Sequence, residues 1–494
     1  MTARPSSTQL PVAIIGAGPV GLAAAAQLAI RNEPFVVLEA GPAAGAAISA
    51  WGHVKVFSPW RYNVDRAARQ LLDGAGWHEP NPDAYPTGRE LIDAYLAPLA
   101  AHPAIGPNIR TSTRVVRIGR EGLDKMKSGD RERSPFVLQV VTGDGQDDAI
   151  LARAVIDASG TWSLPNPLGA NGLPVPGEHG LRDRIWSGIP DVLGTARANF
   201  AGQRVLVVGS GHSAFNVLQD LTRLARDAPG TAIHWAIRRP FAGQVFGGET
   251  NDALPERGSL GKRIRQLTQS GQIGLFTDVR IIRLTAGASG ITVETSGTEI
   301  PEVDRIIAAT GFRPDLEMLR ELRLDLDPAM ESPTALAPLI DPNVHSCGTV
   351  PPHGAEQLKH PEPGFYIAGM KSYGRAPTFL MLTGYEQVRS IVCALTGDIE
   401  GARNVELVLP ETGVCSSNRS EVSVDGDAGC CGTVAESTAI AEATGCCNEP
   451  SAPAASCCGG ATARPVVSDP VQITLGAKRE LAPVGGPGKE RSCC

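Results

Sequence analysis

One stretch, Val12 to Glu39, leaves this chain few folds to adopt. It reads VAII, GAGPVG, an alanine-rich run to Ile30 and, after a short break, FVVLE. Gly16, Gly18 and Gly21 form G-x-G-x-x-G directly after an apolar strand, and Glu39 closes a second strand at the spacing a dinucleotide-binding fold requires. Each residue has a mechanical task. Gly16 permits the tight turn, Gly18 lets the backbone approach a pyrophosphate, and Gly21 lets the helix pack closely on the strand. The helix N-terminus offers free N–H groups and the positive end of its dipole to the phosphates. Glu39 is placed to accept hydrogen bonds from the adenosine ribose.

The same stretch admits a second reading, because Leu10 to Ile30 is about as long and apolar as a membrane span. Three patterned glycines, Gln27 in its second half and the strand that follows argue against one. No later run approaches a span, so the chain is expected to be cytoplasmic, with no membrane partner. Its 494 residues suffice for two or three domains. A net charge of −7 advertises no basic face, which argues against a nucleic-acid partner.

The pattern recurs at Arg204 to Asn216, RVLVVGSGHSAFN. Gly209, Gly211 and Ala214 give G-x-G-x-x-A, with Ser213 able to cap the helix or touch a phosphate. The second strand here, Ala232 to Ile237, ends in Arg238 and Arg239 instead of an acid. A carboxylate would repel a ribose 2′-phosphate, whereas two guanidiniums hold one by charge-assisted hydrogen bonds, so NADPH is the expected nucleotide. Two buried strands ending in A-[ST]-G, within Ala152 to Gly160 and Asp304 to Gly311, read as chain crossings that flank an inserted domain. Pro165, Pro167, Pro174 and Pro176 mark a linker after the first.

Trp51, Phe57, Trp60 and Tyr62 cluster between these units, as a buried aromatic patch or as a wall against a flat cofactor ring. Tyr85 to Leu99 reads as a helix capped by Thr87, with Glu90 completing a capping box. Strands are expected on either side of the charged loop Arg120 to Arg133. Phe241 to Pro255 reads as a substrate or nicotinamide loop. From Pro363 to Leu395 a strand leads through a glycine-rich loop into a helix expected near Thr383 or Gly384. The positive end of that helix suits the electron-rich edge of a flavin, with Gly384 and the backbone around Met370 as candidates.

Past Asp398 the character changes. Residues 401 to 494 hold no Phe, Trp or Tyr and are expected to be largely disordered, with one short helix from Thr433 to Ala443. Of the 11 cysteines, nine lie in this tail, eight of them as the vicinal pairs Cys430–Cys431, Cys446–Cys447, Cys457–Cys458 and Cys493–Cys494. Adjacent cysteines close a strained ring when oxidised to one another, so these pairs read as thiolate ligands for a soft metal or metalloid. Cys347 and Cys393 stand alone and read as buried apolar residues.

Two dinucleotide turns in this order, an acid after the first and arginines after the second, resemble the flavin-containing monooxygenases. The wider group is the flavoproteins with two dinucleotide-binding domains, thioredoxin reductases among them. The resemblance covers about residues 10 to 396 and implies FAD at Gly16, Gly18, Gly21 and Glu39. It implies NADPH at Gly209, Gly211, Ser213, Ala214, Arg238 and Arg239. Trp51 matches the tryptophan of a family G-x-W motif, in which Ser49 replaces the glycine, and Gly369 matches the glycine of the last flavin motif. Met370 stands where the family commonly has an aspartate, and Trp186 where one subgroup has a histidine.

HVKVFSPWRYNVD and the cysteine-bearing tail look most like the flavin monooxygenases encoded beside bacterial arsenic-resistance genes. What the resemblance implies is an α/β chain: an FAD domain (1–165 and 301–400), an inserted NADPH domain (166–300) and the tail (401–494). The implied reaction oxygenates a small-molecule soft nucleophile (nitrogen, sulfur or trivalent arsenic) with molecular oxygen. No side chain is assigned a catalytic role. The alternative is an NADPH-dependent thiol-disulfide or metal(loid) reductase that uses the tail cysteines.

Overall fold

The computed structural model describes residues 10–240, 246, 255–344, 350–377 and 379–405. All of them belong to one compact unit, Met1–Val422. The tail cysteines, Cys347 and the expected helix Thr433 to Ala443 lie outside the described residues. Of the loop between Phe241 and Pro255, only Phe246 has a described side chain, buried with its ring 6.1 Å from that of Trp235.

Short runs of Val, Ile, Leu and Ala with every residue buried belong to parallel strands covered on both faces. Val12–Ile15, Phe35–Leu38 and Ala154–Asp157 are of this kind. They form a five-stranded parallel sheet in the order Phe365–Ile367, Ala154–Asp157, Val12–Ile15, Phe35–Leu38, Ile109–Arg110. A second five-stranded parallel sheet runs Gly274–Phe276, Ala232–Ala236, Arg204–Val208, Arg305–Ala308, Ile185–Ser187. Two smaller antiparallel sheets complete the described strands. One is a three-stranded sheet of Thr113–Arg120, Phe136–Thr142 and Asp147–Ala152, the other the pair Val279–Ala286 and Ile291–Gly297.

The helix after the first turn, Pro19–Ile30, has 12 residues, nine of them buried. That is too short for a bilayer, and no described helix is long and apolar enough to cross one.

The strands ending in A-[ST]-G belong to different sheets, and the chain passes from one sheet to the other directly after each of them. Arg305–Ala308 pairs with Arg204–Val208 in the second sheet, as Ala154–Asp157 pairs with Val12–Ile15 in the first. They occupy equivalent places in the two sheets, and the last strand of the second sheet ends at Ala308. The two crossings, residues 160–166 and 310–313, run side by side. Asn166 N–H donates to Gly311 O (2.9 Å), Arg313 N–H donates to Leu164 O (3.0 Å), and the Trp162 and Phe312 rings stack at 4.6 Å.

Thr87 and Glu90 form the expected capping box, and the helix they start passes through a π turn at Ile92–Leu96. That turn carries Tyr95, whose hydroxyl accepts the Asp65 N–H at 3.1 Å. The Asp65 carboxylate caps the helix Arg66–Gly74 by accepting the Ala68 N–H at 2.9 Å. Burial pushes the Asp65 carboxyl up from 3.8 to about 6, against the backbone N–H groups that favour its anion. A raised carboxyl pKa stabilises the fold fully below pH 3.8 and ceases to do so as pH rises through about 6. Asp65→Asn keeps a capping oxygen and avoids burying a charge. It is expected to raise stability by about 2–3 kcal/mol at pH 7.5 and by little at pH 4, read as the difference in melting temperature from the unsubstituted protein.

Candidate functional site: two glycine turns under carbonyl roofs

Both glycine turns are built the same way. Gly16 has φ +97°, and a Cβ there would lie 2.9 Å from Ala158 O. Gly209 has φ +133°, and its Cβ would lie 2.2 Å from Ala309 O. The alanine of each A-[ST]-G therefore roofs the glycine turn of its own sheet, so only glycine fits beneath. Gly18 and Gly211 are the N-caps of the two helices, and a Cβ on either would meet nothing within 4 Å. Those faces are open, beside helix N-termini of positive dipole, and fit a pyrophosphate at each turn.

The third position differs. A Cβ on Gly21 would lie 1.9 Å from Gly16 O, whereas the second turn carries a real Cβ on the fully buried Ala214. Ser213 is half-buried in the first turn of the helix His212–Asp227. Glu39 reaches back from its strand end to the first turn. Its Oε2 accepts the Ala17 N–H and its Oε1 the Gly41 N–H, both at 2.7 Å. At the matching end of the second sheet Arg238 is exposed and donates to Ala170 O at 3.2 Å, and Arg239 is half-buried.

The loop after Phe365–Ile367 comes to the same place as the first turn. A Cβ on Gly369 would lie 3.3 Å from the Val20 side chain, and one on Gly384 2.5 Å from it. The helix that follows is Met381–Leu395, so it begins ahead of the expected start. Gly384 N–H points to Leu380 O at 3.4 Å, so Gly384 serves close packing on Val20 more than it offers a free donor. Met370 is half-buried beside Gly369.

The aromatic residues do not form one wall. Trp51 packs its ring on Gly88, Trp60 is buried in the core of the first sheet, and Phe57 meets His212 of the second turn's helix at 5.0 Å.

The sequence reading missed a fully buried ion pair. Lys371 Nζ lies 2.6 Å from Asp157 Oδ2, with side chains 1% and 0% exposed, and Asp157 Oδ1 accepts the Ser159 hydroxyl at 2.6 Å. The pair ties the loop after Gly369 to the strand end that roofs Gly16. Its members are 214 residues apart, and no local motif marks them. Among the described residues no cluster of His, Cys, Asp and Glu could hold a metal ion.

The two roofed turns, one with an acid and one with arginines at the following strand end, define a class: oxidoreductases that bind two dinucleotides. The family model of that class, "Pyridine nucleotide-disulphide oxidoreductase", matches residues 13–337, and the chain belongs to this family. A ferredoxin–NADP reductase of Salinispora tropica is 28% identical over 320 residues, covering 65% of this chain and 79% of that protein. "Probable indole-3-pyruvate monooxygenase YUCCA8" of Arabidopsis thaliana is 26% identical over 339 residues, covering 61% and 74%. Among solved structures, the bacillithiol disulfide reductase Bdr (YpdA) from Bacillus cereus shares the fold with a TM-score of 0.57 at 18% identity, covering 79% of this chain and 99% of that one. The chain is an FAD-dependent oxidoreductase, with FAD and NADPH as its cofactors.

Proposed function

We propose that this protein is an NADPH-dependent flavin monooxygenase of the cytoplasm that oxygenates a soft nucleophile, a nitrogen, sulfur or trivalent arsenic centre. One observation supports this choice over a reductase that would use a thiol of the described body. Cys393 is the only cysteine among the described residues, buried and free, and Arg31 Nη2 lies 3.1 Å from its Sγ. Arg31 caps the end of the helix Pro19–Ile30 that lies opposite the first turn, so this thiol sits toward that far end. Burial also pushes the Cys393 thiol up, away from the reactive thiolate.

Gly16, Gly18, Gly21 and Glu39 hold FAD, with Trp51, Gly369, Met370 and Gly384 shaping its ring side. Gly209, Gly211, Ser213 and Ala214 hold the NADPH pyrophosphate, and Arg238 and Arg239 hold its 2′-phosphate. Bound FAD supplies the passage of electrons from NADPH to oxygen and the transfer of one oxygen atom to substrate. The tail pairs Cys430–Cys431, Cys446–Cys447, Cys457–Cys458 and Cys493–Cys494 capture a soft metal(loid) as thiolates, which fits a role in arsenic resistance.

In air enriched in isotope-labelled oxygen, NADPH oxidation is expected to place one labelled atom in a thioether, an amine or arsenite. Turnover that needs a disulfide or a one-electron acceptor instead, and that is lost on deleting residues 401–494, overturns this reading in favour of the reductase. Replacing Arg238 and Arg239 together by alanine is expected to raise KM for NADPH about 10- to 100-fold with little change in kcat. KM for NADH should stay within about twofold. An equal loss with both nucleotides removes the 2′-phosphate role.

A further inference from the structure

The turn Gly369–Tyr373 rests on three buried side chains to which no role is assigned above. Gln387 Oε1 accepts the Gly369 N–H at 2.8 Å. Gln387 Nε2 donates to Ser372 Oγ at 3.0 Å and lies 3.0 Å from His353 Nε2. The Ser372 hydroxyl donates to Gly369 O at 2.8 Å. Gln387, His353 and Ser372 are each 0% exposed.

The bond directions in this cluster follow from one group that can only accept. His353 Nδ1 lies 3.0 Å from Pro351 O, which can only accept, so Nδ1 carries the proton. Burial pushes the His353 pKa down and keeps the ring neutral, which leaves Nε2 as an acceptor for one Gln387 N–H. Ser372 Oγ lies 2.8 Å from Gly369 O and 3.4 Å from Gln387 Oε1, so its hydrogen goes to the nearer oxygen and Oγ accepts the other amide hydrogen. With both amide hydrogens placed, the Gln387 oxygen must face Gly369. The Gly369 residue, at φ +72°, is then gripped at its N–H and at its C=O.

We propose that Gln387, oriented by His353 and Ser372, is a positioning residue for the flavin, which it serves by fixing the Gly369 turn in one conformation. The inference rests on the placement of FAD against this turn. A glycine freed from both bonds regains backbone freedom that FAD binding must then remove again.

The test uses the full-length holoprotein and its reconstituted apoprotein. Gln387→Met, close in shape but without the amide, is expected to raise the FAD dissociation constant about 10-fold and to shift the flavin absorption band. NADP⁺ affinity should not change, since the second turn is built from other elements. Gln387→Glu retains an acceptor for the Gly369 N–H, with His353 taking up a proton to pair with it, and should hold FAD within about threefold. Should Gln387→Met not fold, His353→Leu is expected to shift the band and His353→Gln, which keeps an acceptor, to leave it in place.

Unaltered FAD affinity and spectrum in Gln387→Met overturn the inference, as does an equal FAD loss in Gln387→Glu. Gly369→Ala separates the two levels. If it shifts the band and Gln387→Met does not, the positioning role falls alone; if neither does, the placement of the flavin falls with it.

Discussion

Gly21→Ala is expected to yield a colourless protein. The added methyl would lie 1.9 Å from Gly16 O and 3.0 Å from Gly16 C, backbone atoms of the turn that receives the pyrophosphate. Ordinary contact begins near 3.4 Å, so helix and turn must part by more than an ångström. The turn has nowhere to go, because Gly16 is itself capped by Ala158 O at 2.9 Å from its own Cβ position. Displacing one element of a preorganised phosphate cradle by this much should cost at least about 100-fold in FAD affinity, or roughly 2.7 kcal/mol. The second turn supplies the control. Ala214 already carries a Cβ at the matching position, so Ala214→Gly should cost only about 1 kcal/mol of helix stability and leave NADP⁺ binding within a few fold. Flavin-to-protein ratios by absorbance and FAD titration of the apoprotein decide the matter. A Gly21→Ala protein purified with near-stoichiometric FAD would show that the helix can back away from the turn, and the close-approach account would be wrong.

Glu362→Ala is expected to be the most destabilising single change in the described core. The Glu362 carboxylate, 0% exposed, holds Arg120 Nε at 2.7 Å and Arg131 Nη2 at 2.7 Å, and those side chains are 2% and 3% exposed. It also accepts the Arg323 N–H at 3.0 Å. The Arg120 guanidinium lies 3.6 Å above the Phe136 ring and donates to the Pro363 carbonyl as well. Removing the acid strands two buried cations that already lie close together. Loss of one partner from such a group costs about 3–5 kcal/mol, because the remaining charge is left without compensation in a poorly polarisable interior. Glu362→Gln should fall between, since an amide oxygen still accepts one guanidinium. The prediction is read as the midpoint of the first urea transition; a Glu362→Ala midpoint within error of the original would mean that water reaches the arginines and the group is not buried in solution.

The features legible in the sequence were those fixed by backbone geometry over a few residues. Gly16, Gly18, Gly21 and Glu39, like Gly209, Gly211 and Ala214, sit in their turns as the spacing requires, and the Thr87–Glu90 capping box forms. Features that depend on distant partners were not legible. Lys371 meets Asp157 across 214 residues and Gln387 meets His353 across 34, distances over which no periodicity acts. The charged loop Arg120 to Arg133 conceals Arg131, 3% exposed, because a charge run reads the same whether its members face water or a buried acid. The A-[ST]-G strands were legible as the places where the chain changes sheet, because their small-residue ends recur. Their resemblance marks the same place in two sheets, each strand pairing with the one that precedes a glycine turn.

The side-by-side passages at residues 160–166 and 310–313 bear on how the two sheets move relative to each other. Two independent tethers would allow one body to slide, swing and tilt against the other. Laced by Asn166 to Gly311 and Arg313 to Leu164, and clamped by the stacked Trp162 and Phe312 rings, they act as a single ribbon. A ribbon resists shear and stretching but twists readily about its length. Neither passage can therefore shift without carrying the other, and the joint between the two sheets is one double-stranded element instead of two single ones.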